Sequence, residues 1–167
     1  VDNNLLYISA RDGAAWAIET ENGRIKWQVV GPAVRTGYVG GPGAAISKKY
    51  VLFPFGSGDV LASFRQGGMR AWSSLLSGAR LGRAWNQVQD ITGQPVVERS
   101  TVYLANSAGR MAAVDLNTGL RMWTAKYGSQ GDIFVAGSSI FAVSDESNLI
   151  RVSKDDGTLI WATPLPN

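Results

Sequence analysis

Ala113-Val114-Asp115-Leu116-Asn117-Thr118-Gly119-Leu120-Arg121-Met122-Trp123 is the most regular of four related phrases in this chain. The others are AIETENGRIKW (Ala17–Trp27), ASFRQGGMRAW (Ala62–Trp72) and RVSKDDGTLIW (Arg151–Trp161). In every copy three residues separate a glycine from the closing tryptophan, and the four tryptophans are 45, 51 and 38 residues apart. One such phrase carries no information. Four in register, at a period near forty residues, are the signature of a propeller or solenoid, whose units bury their apolar faces only by stacking.

Working outward from each phrase, the pattern has period two. Leu5–Ser9, Tyr50–Phe55, Thr101–Ala105 and Ser139–Val143 are β-branched and aromatic runs bounded by turn residues, as strands require. A polar turn follows each one, containing Gly13, Gly58, Gly109 or Asn148, residues that accept the positive φ of short hairpins. A further strand runs through Ala15–Ile18, Val60–Ser63, Met111–Val114 and Leu149–Val152, and the last strand ends on the tryptophan. Ahead of three units stands an inner strand with small residues: Gly43–Ser47, Gln94–Glu98 and Asp132–Ala136. No segment reads as a helix. The expected fold is therefore all-β, a partial β-propeller of four-stranded antiparallel blades. The boundaries expected are an incomplete blade over 1–31, then blades over 32–78, 79–127 and 128–167, all within one propeller domain.

Under this reading Trp27, Trp72, Trp123 and Trp161 are structural. Each ring on an outer strand packs into the next blade and locks the stack.

Composition narrows the function classes. Hydrophobic residues make up 45% of the chain at a mean hydropathy of −0.02, enough for a core and too much for a disordered segment. No run approaches the roughly 18 apolar residues of a membrane helix. The net charge of +3 comes from basic residues scattered through the repeats, so no nucleic-acid surface is expected. Cysteine and histidine are both absent. That excludes disulfides, thiolate chemistry, the usual zinc sites and imidazole as a catalytic base.

The phrase Ala113–Trp123 resembles the tryptophan-docking motif of quinoprotein (PQQ-type) propellers, Ala-x-Asp-x-x-Thr-Gly-x-x-x-Trp, at every specified position. The other three copies keep the glycine and tryptophan and drift elsewhere. The order of segments is more specifically similar to the BamB family, propeller lipoproteins of the outer-membrane β-barrel assembly machinery. The residues that carry this likeness are Asp90–Val97, Val102–Gly109, Gly131–Val135 and Val143–Glu146. Complete members have eight blades and an acylated N-terminal cysteine. The resemblance thus implies an interior piece of a longer protein, about four blades of eight, whose remaining blades are partners of this segment.

It further implies a non-catalytic, periplasmic scaffold, held at the outer membrane by a lipid anchor not present in this chain. Such a scaffold would bind POTRA domains of a BamA-like barrel through neighbouring inter-blade loops. Two long connections here correspond to those loops, residues 31–42 and 73–92. The candidate partner-binding residues are Val34, Arg35 and Tyr38 in the first, and Arg83, Trp85 and Asp90 in the second. Trp85 either anchors a partner, as aromatic hot-spot residues do, or packs against its own blade. Asp90 fits the first carboxylate of the family's Asp-x-Asp pattern, with Thr92 in place of the second, or else caps a turn.

No cofactor, metal or catalytic residue is expected. The alternatives are a fragment of a quinone-dependent dehydrogenase and a cell-envelope or carbohydrate-binding propeller. Against the dehydrogenase, Asp12, Asp59, Asp145 and Glu146 fall in rim turns rather than converging as calcium ligands would. The adjacent cysteine pair of alcohol-oxidising relatives is missing.

Overall fold

The computed structural model describes residues 2–10, 12–32, 42–76 and 91–166. They form four antiparallel meanders in chain order. The first sheet has three strands, β1 (Leu5–Ser9), β2 (Ala14–Glu19) and β3 (Ile25–Val30). The second has four: β4 (Ala45–Ile46), β5 (Tyr50–Pro54), β6 (Asp59–Phe64) and β7 (Arg70–Leu75). The third comprises β8 (Val96–Glu98), β9 (Thr101–Asn106), β10 (Arg110–Asp115) and β11 (Arg121–Ala125). The fourth comprises β12 (Phe134–Ala136), β13 (Ser139–Val143), β14 (Asn148–Ser153) and β15 (Leu159–Pro164). Among the described residues there is no helix. The all-β expectation holds, and each sheet is one blade.

Burial along equivalent strands shows how the blades stack. β5 is buried at every position, whereas β1 alternates between buried and exposed. Strands of one sequence type differ this way because β5 is covered on both faces and β1 on one. Val51, Phe53 and Leu61 pack on the first blade beside Tyr7 and Trp27. Leu52, Val60 and Ala62 pack on the third beside Val102, Leu104 and Val114. Tyr103, Met111 and Ala113 meet Ile140, Ile150 and Val152 of the fourth.

The repeated phrase is the lock between blades. Trp27 Nε1 donates to Arg65 O at 3.0 Å, Trp72 Nε1 to Leu116 O at 2.8 Å, and Trp123 Nε1 to Lys154 O at 3.0 Å. Each acceptor stands three residues before the glycine of the next copy. A Cβ placed on Gly68, Gly119 or Gly157 would lie 2.6, 2.7 and 2.7 Å from the Trp27, Trp72 and Trp123 rings respectively. All four phrase glycines, Gly23 included, have φ between 72° and 76°, the left-handed region that glycine enters without strain. The turn that presents the glycine is wound by its own side chains. Asp115 Oδ1 accepts from Asn117 N, Thr118 N and Thr118 Oγ1 at 2.8–3.0 Å. These bonds, led by the Thr118 hydroxyl, hold the Asp115 carboxyl below its ordinary pKa.

Room for the ring comes from across the strand pair. Ala17, Ala62 and Ala113 stand opposite Trp27, Trp72 and Trp123, and a bulge follows each alanine. In the fourth blade Arg151 takes that place opposite Trp161. Its guanidinium donates to Ser139 Oγ at 2.9 Å and lies over the Phe141 ring.

Candidate functional site

Both long connections leave from one end of the blades. At the exit of β3, Gly31 N donates to Gly13 O at 2.6 Å, tying the chain to the β1–β2 turn. At the exit of β7, Leu76 N donates to Gly58 O at 2.8 Å in the equivalent turn of the second blade. Val30 and Leu75, the last residues of these strands, are exposed apolar side chains. The two connections thus rise from adjacent blades beside uncovered hydrophobic positions. Exposed apolar residues grouped beside long loops are a mark of interaction surfaces.

The second connection is held at both ends by one residue. Asn106 is fully buried at the end of β9. Its Nδ2 donates to Leu76 O at 3.0 Å, and its Oδ1 accepts from Ala108 N and Arg110 N at 3.1 and 2.9 Å. Ile91, where the described chain resumes, makes a β-bridge with the same Asn106 and is itself buried. The Asn106 carbonyl also accepts from Ser129 N at 3.0 Å. Beyond Ile91, Thr92 Oγ1 donates to Ser129 O at 2.6 Å, and Gln94 N donates to Asp132 Oδ1 at 2.8 Å. The connection therefore emerges and returns at points set by buried polar bonds, which are costly to break when buried.

The rim carboxylates are engaged in turns. Asp12 Oδ1 accepts from Ala14 N at 3.0 Å, Asp59 Oδ2 from Ser57 Oγ at 2.6 Å, and Asp145 Oδ1 from Gly128 N at 3.0 Å. Among the described residues no three acidic side chains are grouped as metal ligands would be. Along the inner strands runs an open cleft of about 330 Å³, lined by Ala45, Gln94, Val96, Asp132 and Phe134 among others. Its polar side chains are committed: Gln94 Nε2 donates to Ala44 O at 2.9 Å, and Asp132 caps Gln94. Among the described residues this arrangement fixes the points at which the connections leave and return.

A family model described as outer membrane protein assembly factor BamB matches residues 1–163. The chain belongs to the BamB family. The BamB of Shewanella oneidensis is 23% identical over 162 residues, which is 97% of this chain and 41% of that protein. The chain therefore spans about two fifths of the length of that curated relative. In shape it is similar to the crystal structure of BamB from Moraxella catarrhalis, with a TM-score of 0.86 at 20% identity, over 98% of this chain and 50% of that one. The quinohemoprotein alcohol dehydrogenase of Comamonas testosteroni has the same fold, with a TM-score of 0.75 at 16% identity, over 98% of this chain and 34% of that one. At these identities the structural likenesses describe the fold.

Within this BamB-family segment, Val34, Arg35, Tyr38, Arg83, Trp85 and Asp90 lie outside the described residues. The structure brings together the residues that bracket them: Gly31 with Gly13, and Leu76 and Ile91 on Asn106. Trp27, Trp72 and Trp123 stand in the three blade junctions, and Trp161 stands on an uncovered face, 37% exposed. Sequence reasoning treated Asn106 only as a turn residue. Its signal was faint: an asparagine closing an otherwise apolar strand. In the structure a Cβ on Gly128 would lie 2.5 Å from the Asn106 carbonyl oxygen.

Proposed function

We propose that this chain is part of a non-catalytic scaffold for outer-membrane β-barrel assembly, working on the periplasmic side of the outer membrane. It binds POTRA domains of a BamA-like barrel. Val34, Arg35 and Tyr38 of the first connection and Arg83, Trp85 and Asp90 of the second form the contact. The observation that carries this reading is the family match over residues 1–163, whose description is an outer membrane assembly factor. It is supported by the two long connections, which leave neighbouring blades at one end beside exposed Val30 and Leu75.

A pull-down from solubilised bacterial envelope, followed by titration of purified POTRA domains against the immobilised protein, tests it. Recovery of a POTRA-containing barrel is expected. Trp85→Ala and Arg35→Ala should each weaken POTRA binding by about 2 kcal/mol, roughly thirtyfold. The β-rich far-UV spectrum should stay unchanged in both variants. Normal binding by both variants overturns the loop assignment. Quinone-dependent dye reduction by the same preparation overturns the non-catalytic reading.

A further inference from the structure

Three residues before the positive-φ turn residue of each blade (Gly13, Gly58, Gly109 and Ser147) stand Ala10, Phe55, Asn106 and Ser144. The four places are equivalent, so the hairpin itself does not select the side chain. Ala10 offers no polar side chain. Phe55 puts its ring against the start of the first connection, where a Cβ on Gly31 would lie 2.5 Å from it. Ser144 serves its own turn, its Oγ accepting from Glu146 N at 3.3 Å and from Asn148 N at 3.2 Å. Asn106 Oδ1 does the same at Ala108 N and Arg110 N. Its amide has a donor besides, and Nδ2 gives it to Leu76 O, thirty residues back in the chain. A serine satisfies the turn. Of the four side chains, the carboxamide is the one that also bonds the root of the second connection.

The far end of that connection is fastened to a different element. Ile91 bridges Asn106 and lies with Leu76 in one buried cluster. Thr92 Oγ1 donates to Ser129 O at 2.6 Å, and Ser129 N donates to Asn106 O at 3.0 Å. Ser129 is fully buried, and its own hydroxyl donates to Gly131 O at 2.8 Å. The backbones approach closely enough here to need glycine. A Cβ on Gly93 would lie 2.4 Å from Gly131 O, and one on Gly128 would lie 2.5 Å from Asn106 O. Asn106, Thr92 and Ser129 thus join both ends of the second connection to the segment between β11 and β12. Buried hydrogen bonds of this kind are costly to strip. A loop whose ends are held together also has less freedom left to lose when a partner orders it.

We propose that Asn106 and Thr92 are positioning residues: they fasten the two ends of the second connection to the β11–β12 segment, and so set the place from which that connection meets its partner. Asn106 is buried and the Thr92 hydroxyl is bonded to Ser129 O, so both act through the connection and not by touching the partner. The inference rests on the reading above that the second connection contacts POTRA domains.

Three variants of the intact protein separate this role from general stability. Asn106→Ser puts the residue of the fourth blade into the third, keeping the turn acceptor and dropping the bond to Leu76 O. Thr92→Val keeps the shape and drops the bond to Ser129 O, whereas Thr92→Ser keeps the hydroxyl. In limited trypsin digestion read by mass spectrometry, cleavage after Arg80 and Arg83 should accelerate about tenfold in Asn106→Ser and Thr92→Val. Cleavage after Arg35, in the first connection, should stay at the wild-type rate. In titration with purified POTRA domains the same two variants should bind about tenfold more weakly than wild type. Thr92→Ser should match wild type in both assays. Unchanged cleavage after Arg80 and Arg83, or equal acceleration after Arg35, overturns the positioning role, and so does wild-type affinity in both variants. If wild type itself binds no POTRA domain, the reading of the second connection as a contact fails, and the cleavage pattern alone decides whether Asn106 and Thr92 set its ends.

Discussion

Gly119 and Gly23 share a φ of +73° and a place in the repeated phrase, yet one faces the Trp72 ring and the other faces open space. Alanine at either position carries the left-handed strain of an L-residue, about 1–2 kcal/mol. At Gly119 the new Cβ would also sit 2.7 Å from the Trp72 ring, and displacing that ring forfeits a buried aromatic contact and its bond to Leu116 O. Gly119→Ala should therefore cost about 2 kcal/mol more than Gly23→Ala in chemical denaturation. Equal costs would show that the ring adds nothing to blade cohesion. Asp115 offers a second check. Its carboxyl is held below the ordinary range by the Thr118 hydroxyl and by the Thr118 and Asn117 amides. A depressed carboxylate pKa contributes stability that is complete above the unfolded value, about 3.9. That contribution is lost as pH falls through the lower folded value. The denaturation midpoint of wild type should exceed that of Asp115→Asn at pH 7, and the gap should close below about pH 4. Asp115 is half-buried and its hydrogen bonds are solvent-exposed, so screening keeps the gap small.

At the scale of strands and turns, period-two alternation and turn residues were enough to locate the strands to within a residue or two. Leu5–Ser9 and Ser139–Val143 are observed as read, and β5 stops one residue early, at Pro54. The inner strands came out shorter than read: β4 keeps only Ala45–Ile46 of Gly43–Ser47. Small residues there define little packing, and edge pairing ends where the hairpin no longer supplies partners. The tryptophan phrase was legible because a large ring and a glycine leave a residue-type record. Its acceptor was not, since a backbone carbonyl at Arg65, Leu116 or Lys154 can belong to any side chain. Asn106 escaped notice for a related reason: asparagine at a strand end is ordinary turn chemistry, and only the fold brings Leu76, Ile91 and Ser129 around it. Asn106→Ala would strip the Ala108 and Arg110 amides and the Leu76 carbonyl of their buried partner. We expect a loss of about 2–3 kcal/mol in the urea midpoint, with faster amide exchange at Ala108 and Arg110 than in the first or fourth blade. A uniform change across the molecule would contradict a local clamp.

Over the whole molecule the blades form a one-dimensional stack, in which each unit owes its stability to its own sheet and to its two neighbours. The second and third blades have both neighbours, and their central strands β5, β6, β9 and β10 hold most of the fully buried side chains, including Phe53, Leu61, Leu104 and Met111. The first and fourth have one each, and expose Leu6, Ile8, Phe134 and Trp161. Opening free energies in such an array grade from the ends inward. Amides of β5, β6, β9 and β10 should exchange slowest by mass spectrometry, and those of β1 and β15 fastest, in dilute samples. Equal protection of the end and inner strands would contradict a stack held by nearest-neighbour contacts.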